Sequence, residues 1–188
     1  MEMSKENLKQ QIIKMLERQT YSVSASTILF ELKNCVNNQN LTSRKIGAVC
    51  GELVREGKLI KEYKVPNQFY GFYSLTSIWL KQTEKWIRNK IPFQLPDAKV
   101  ELEIVSDDNV LDGRTRIEKQ TNLLAITIRI RISKNLLKNP NIYQAVKMIL
   151  IHEFSHVVSP SNPDLIMKRY FPKEFEVWEK GPNCHRNG

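Results

Sequence analysis

Two histidines stand four positions apart in this chain, with a glutamate directly after the first: His152-Glu153-Phe154-Ser155-His156. Four positions is close to one helical turn, so on an α-helix both rings leave the same face and can hold one metal ion between them. Imidazole donors suit zinc, which lowers the pKa of a bound water toward neutrality. A carboxylate beside the first ligand can take that water's proton while the water attacks a carbonyl polarised by the same ion. The segment therefore predicts His152 and His156 as zinc ligands and Glu153 as general base in a hydrolysis. Chance produces such a pattern in on the order of a few per thousand chains of this composition. Two of the three histidines fall inside it. A pair of inert buried histidines would leave Glu153 as an ionisable group on an apolar helix, which costs energy unless it is paired.

The helix that must carry these groups begins at Asn139-Pro140, a cap followed by proline in the first turn, and runs through Val146, Ile149 and Leu150 into the motif. Ser159-Pro160 ends it. A catalytic zinc takes a third protein ligand and keeps one open position. Candidates downstream are Glu174, Glu176 and Glu179, on a short helix expected over residues 172–180, and His185 in the tail. Packing through Phe175 and Trp178 would hold that helix.

Ahead of the motif, residues 100–106 alternate, with Val100, Leu102 and Ile104 on one face. Asp107-Asp108-Asn109 is a turn, and residues 113–119 read as a second strand. Residues 124–132 are the clearest strand, with Ile126, Ile128, Ile130 and Ile132 facing one way and Thr127, Arg129 and Arg131 the other. The expectation is a small antiparallel meander with one buried face.

The first part of the chain has a different rhythm. Helical spacing over residues 7–18 and 24–33 is followed by an Asn-rich turn at 34–40. Thr42 or Ser43 then caps a third helix that buries Ile46, Val49, Leu53 and Val54, and Gly57 ends it. Residues 59–65 and 69–75 read as two strands joined by Pro66-Asn67-Gln68. A further helix over 77–91, with Trp79, Trp86 and Ile87 along one side, opens the second part. The fold class is α+β, with domains at residues 1–75 and 76–188.

Three short helices and a hairpin resemble the winged-helix superfamily over the first 75 residues. Residues 41–60 look like a recognition helix leading into a wing. The resemblance implies that Ser43, Arg44 and Lys45 approach the bases of double-stranded DNA, with Lys61 and Lys64 near phosphates on the wing. Winged helices also dock proteins, and that alternative stays open.

The second part resembles the zincin metallopeptidases. Asp112-Gly113-Arg114, the Ile-rich strand, Ser133-Lys134-Asn135-Leu136-Leu137, Pro140 and the HExxH helix are similar to the strand, linker and active-site helix of SprT-like and related small zincins. Asn162 stands where metzincins have a histidine, which argues against that class. Glu176, 20 positions after His156, matches the third ligand of gluzincins, and Glu176-Val177 stands where those enzymes have Glu-Ala. Lys180 departs from their acidic residue four positions on. SprT-like proteases use a downstream histidine instead, which would make His185 the ligand. Zincins bind an extended peptide along a sheet edge, here on one strand of the meander.

The resemblances imply a zinc-dependent endopeptidase targeted or regulated by a winged-helix domain. Its substrate would be a DNA-associated protein, as for SprT-like proteins, or a transcriptional repressor, as for ImmA/IrrE-like proteins. The alternative is a DNA-binding transcriptional regulator whose zincin-like half senses metal or docks a protein without proteolysis. A structural zinc site would be closed by four ligands, for instance His152, His156, Cys184 and His185.

Composition bounds the setting. Net charge is +9, which favours a polyanionic partner. Eleven Lys/Arg stand against 7 Asp/Glu up to residue 75, and 18 against 13 after it, so charge does not single out one half as the DNA-binding one. The apolar run around Met148 to Ile151 is too short for a membrane span, and the first eleven residues lack the apolar core of a signal peptide. Cys35, Cys50 and Cys184 are odd in number and widely spaced, as in a reducing compartment. The expectation is a cytoplasmic protein away from membranes.

Overall fold

The computed structural model describes residues 4–35, 40–63, 71–106, 110–120, 123–139 and 141–180. The chain divides into two compact units, Met1–Trp79 and Leu80–Gly188, in a mixed α+β architecture with one small sheet in each.

In the first unit, α1 (Lys5–Leu16), α2 (Ala25–Cys35) and α3 (Ser43–Arg55) bury the apolar stripes that their spacing foretells. Leu8, Ile12 and Leu16 meet Ile28 and Leu32 from α2 and Ile46, Val49 and Leu53 from α3 in one core. Thr42 is the N-cap of α3, its hydroxyl accepting from the Lys45 amide at 3.2 Å. Gly57, with φ 70°, turns the chain out of α3 as only glycine does easily. A short strand β1 (Val23–Ser24), absent from the sequence expectation, joins β2 (Leu59–Glu62) and β3 (Phe72–Leu75) in an antiparallel sheet of order β1-β3-β2. Lys64, the Pro66–Gln68 turn and most of the Asn-rich turn lie outside the described residues.

Helix α4 (Thr76–Lys90) carries the division between the units. Its first turn is bound to the first unit. Thr76 Oγ1 donates to the Gly57 carbonyl at 2.8 Å, and Trp79 Nε1 donates to Glu62 Oε1 at 3.0 Å.

The second unit holds β4 (Ala98–Val105), β5 (Leu111–Gln120), β6 (Leu123–Ser133), α5 (Ile142–Val158), α6 (Pro163–Tyr170) and α7 (Pro172–Lys180). The sheet is not an antiparallel meander. Its order is β4-β6-β5, and β4 runs parallel to β6 while β5 runs antiparallel to it. The assumption that successive strands pair side by side fails here. The Ile-rich strand takes the centre, where Ile128, Ile130 and Ile132 lose all solvent contact. The register also sets charges opposite one another: Glu101 faces Arg129 and Glu103 faces Arg131 across β4 and β6, with Arg129 bonded to Glu101 at 3.0 Å.

Candidate metal centre and active site

Helix α5 is apolar nearly all round, and ten of its residues from Ile142 to Ser155 are buried, as expected for a helix inside a core. It starts later than the sequence pattern places it. Asn141 is the N-cap, and Asn139 Oδ1 accepts from the Asn141 amide at 2.9 Å, an Asx turn that ends before the helix begins. Pro140 lies outside the described residues. The C-terminal end matches expectation, with Ser159 as C-cap. Inside the motif, Ser155 satisfies its hydroxyl within the helix by donating to the Ile151 carbonyl at 2.7 Å. Phe154 is fully buried, its ring 5.4 Å from the Arg88 guanidinium. The two variable positions of the motif are thus spent on packing.

His152 and His156 converge. Their rings are edge-on with centroids 4.7 Å apart, and the two Nε2 atoms are 3.1 Å apart. The other nitrogen of each ring faces an acceptor. His156 Nδ1 is 3.2 Å from the Pro160 carbonyl oxygen. His152 Nδ1 is 3.6 Å from Asp164 Oδ1, beyond hydrogen-bond length but close enough for the carboxylate to attract a ring N–H. The Pro160 carbonyl favours the proton on Nδ1 of His156, which leaves its Nε2 as an acceptor facing Nε2 of His152. Two imidazole nitrogens on a tetrahedral zinc are about 3.4 Å apart, given bonds near 2.0–2.1 Å, so the observed separation fits the ion to within a few tenths of an ångström.

Asp164 belongs to α6, a helix the sequence reading missed. The signal was present: Asn162-Pro163 is a cap followed by proline in the first turn, and Asn162 Oδ1 accepts from the Leu165 amide at 3.3 Å.

Glu153 is only 5% exposed and turns to β5. Thr115 Oγ1 donates to Glu153 Oε2 at 2.6 Å and lies 3.3 Å from the Glu153 carbonyl oxygen. Gly113 leaves the room for this. A Cβ there would collide with the Ile149 side chain and would stand 3.0 Å from both Cγ and Oε1 of Glu153. Sequence reasoning placed Gly113 and Thr115 in a strand over residues 113–119 but gave neither a role at the site. The period-2 alternation that puts both on one face of β5 was readable, but not that α5 crosses there.

Helix α7 forms as expected but turns other residues to α5. Trp178 stacks on His152, ring centroids 4.7 Å apart at 23°. One turn earlier Glu174 reaches Lys147 at 3.6 Å. Glu176, about 200° around the helix from either, is exposed. Among the described residues no group of three or more His, Cys, Asp or Glu side chains gathers at a metal-binding distance. Glu176 is therefore not brought to the histidines, while His185 and Cys184 lie outside the described residues.

In the first unit, Arg44 and Lys45 are exposed in the first turn of α3 and Ser43 is half-buried, its hydroxyl 3.5 Å from that of Ser26. Lys61 is half-buried on β2, its ammonium 4.9 Å from the Tyr63 ring centre. Among the described residues no helix is long and apolar enough to cross a membrane. No protein-family profile, no curated protein and no solved structure matches the chain.

Proposed function

We propose that the chain is a zinc-dependent endopeptidase of zincin type. The observation that carries this reading is the pair of Nε2 atoms 3.1 Å apart, each on a ring whose Nδ1 faces an oxygen acceptor. His152 and His156 would hold the ion. Bound zinc would supply a Lewis acid that polarises a carbonyl and acidifies water. Glu153 takes the proton from the attacking water and returns it to the leaving amine. Thr115 keeps that carboxylate from swinging away, and the apolar surroundings of α5 exclude bulk water. Trp178 restrains the His152 ring from one face, and the Asp164 carboxylate at 3.6 Å from its Nδ1 would stabilise positive charge on it. For the third ligand, the exposed position of Glu176 weighs against the gluzincin arrangement and leaves His185 as the SprT-like alternative.

The first unit is read as a winged helix that brings the peptidase to DNA-associated proteins or to a DNA-bound repressor. Support comes from the order of three helices and three short strands, with β1 completing the sheet, and from two exposed cations, Arg44 and Lys45, at the start of α3. Lys61 and Lys64 would add phosphate contacts.

The deciding experiment combines metal analysis with cleavage. Purified chain should hold about one zinc, and His152→Ala or His156→Ala should remove it, because so few ligands share the ion. Glu153→Gln should keep zinc and lose cleavage of a protein or peptide substrate. Stoichiometric zinc in both histidine variants would refute the centre. Zinc-dependent cleavage undiminished in Glu153→Gln would refute the base. A zinc-binding chain that cleaves nothing would support the regulator reading.

A further inference from the structure

We infer that Ile117 is a specificity-determining residue, receiving an apolar side chain of a peptide laid along the outer edge of β5; this rests on the peptidase reading above. Strand β6 pairs with one side of β5, and no described strand pairs with the other. Such an edge takes up an extended segment through main-chain hydrogen bonds, and alternate side chains then give selectivity. Alternation along β5 puts Gly113, Thr115 and Ile117 on the face toward α5. Gly113 abuts Ile149 and Glu153, and Thr115 bonds to Glu153. Two strand residues advance about 6.6 Å, and the helical turn from Ile149 to Glu153 advances about 6 Å. At these matched rises the next inward residue, Ile117, would come level with the turn at His156 and Val157.

There Ile117 is 45% exposed, whereas Ile126, its neighbour across the strand pair, is 4% exposed. One step before it on the same face is the hydroxyl that holds the proposed general base. An apolar side chain left open at that point lies where a residue close to the scissile bond would rest. The opposite face of β5 carries mixed charge, Arg114 set against Asp112 and Arg116 paired with Glu118 at 2.7 Å. A peptide on this edge would turn its flanking residues toward that face. The substrate class is therefore an extended segment with an apolar residue near the cleaved bond.

The test uses the zinc-loaded full chain and peptide hydroxamates, which ligate zinc and need no known substrate. Two pairs of probes are used, one with the hydroxamate at the C-terminal end and one with it at the N-terminal end. Within each pair the residue next to the hydroxamate is leucine or alanine. On one side of the hydroxamate the leucine probe should bind about tenfold tighter than the alanine probe. Ile117→Ala should abolish that preference while zinc affinity stays unchanged. Ile117→Thr, which keeps the β-branch, serves in its place if the alanine variant does not fold. Equal binding of leucine and alanine probes on both sides, or a preference that survives in the variant, overturns the proposal. So does failure of every probe to bind a chain that holds zinc. A chain that holds no zinc would bring down the peptidase reading itself, a distinguishable result.

Discussion

The hydroxyl of Thr115 on β5 lies 2.6 Å from Oε2 of Glu153 on α5, so a strand residue 38 positions earlier in the chain fixes one oxygen of the proposed base. Glu153 is nearly buried, and its carboxylate depends on this donor. In Thr115→Val the branched shape survives and the donor does not, leaving a buried acceptor unpaired at a cost of about 1–3 kcal/mol. Denaturant unfolding should register that loss, and zinc titration should show little change. Thr115→Ser should recover most of the stability. Equal stability of the valine and wild-type chains would show that the bond contributes nothing.

Gly113 should tolerate no side chain. Its Cβ would fall on the Ile149 side chain and crowd Glu153, so Gly113→Ala must push strand and helix apart. Overpacking of this kind costs about 1–3 kcal/mol. A thermal melt should show a clear fall in Tm. An unchanged melt would mean that α5 can retreat from β5 freely.

Zinc affinity should separate the residues of α7. Glu176 is exposed, so Glu176→Ala should leave the zinc Kd within about threefold, under 1 kcal/mol. Trp178 stacks on His152. Trp178→Ala should weaken zinc by about tenfold or more, as loss of an orienting neighbour does. His185→Ala, titrated alongside, tests the SprT-like alternative by the same readout. A loss from Glu176→Ala matching that of His156→Ala would show that α7 turns to supply the third ligand.

Duplex binding should respond to the first turn of α3. Arg44→Ala combined with Lys45→Ala should weaken binding and reduce the salt slope by about 2, one counterion near each lost cation. Fluorescence anisotropy across a salt series measures both. An unchanged slope would assign this unit to protein docking.

Much of the scaffold was legible because it is written locally. Helical spacing gave α1, α2, α3 and α7, and period-2 alternation gave β4 and β6, all to within a few residues. The motif itself gave the shared face of His152 and His156. What escaped depends on partners distant in sequence. The parallel pairing of β4 with β6 follows from which strand the core claims as its centre, and alternation looks the same in either direction. Thr115 is one threonine in a polar stretch until α5 lies across it. The face of α7 is fixed by where Trp178 and Glu174 find partners on α5, and counting positions from His156 to Glu176 cannot supply that. Helix α6 is a different kind of miss, since its cap was plain in Asn162-Pro163.

The parallel pairing has a consequence for the order of assembly. Strands β5 and β6 are neighbours in sequence and pair antiparallel from Leu111 opposite Ile132 to Gln120 opposite Leu123, so they can zip together on the timescale of a hairpin. Helix α5 packs on both of them, so the surface that holds Glu153 needs only chain that follows residue 110. Strand β4 must wait for β6, 28 residues downstream of its partner positions from Ala98 to Val105, and loop closure makes such contacts late. The half of the sheet that holds Glu153 is therefore the early half of this unit, and β4 is an edge added to it afterwards.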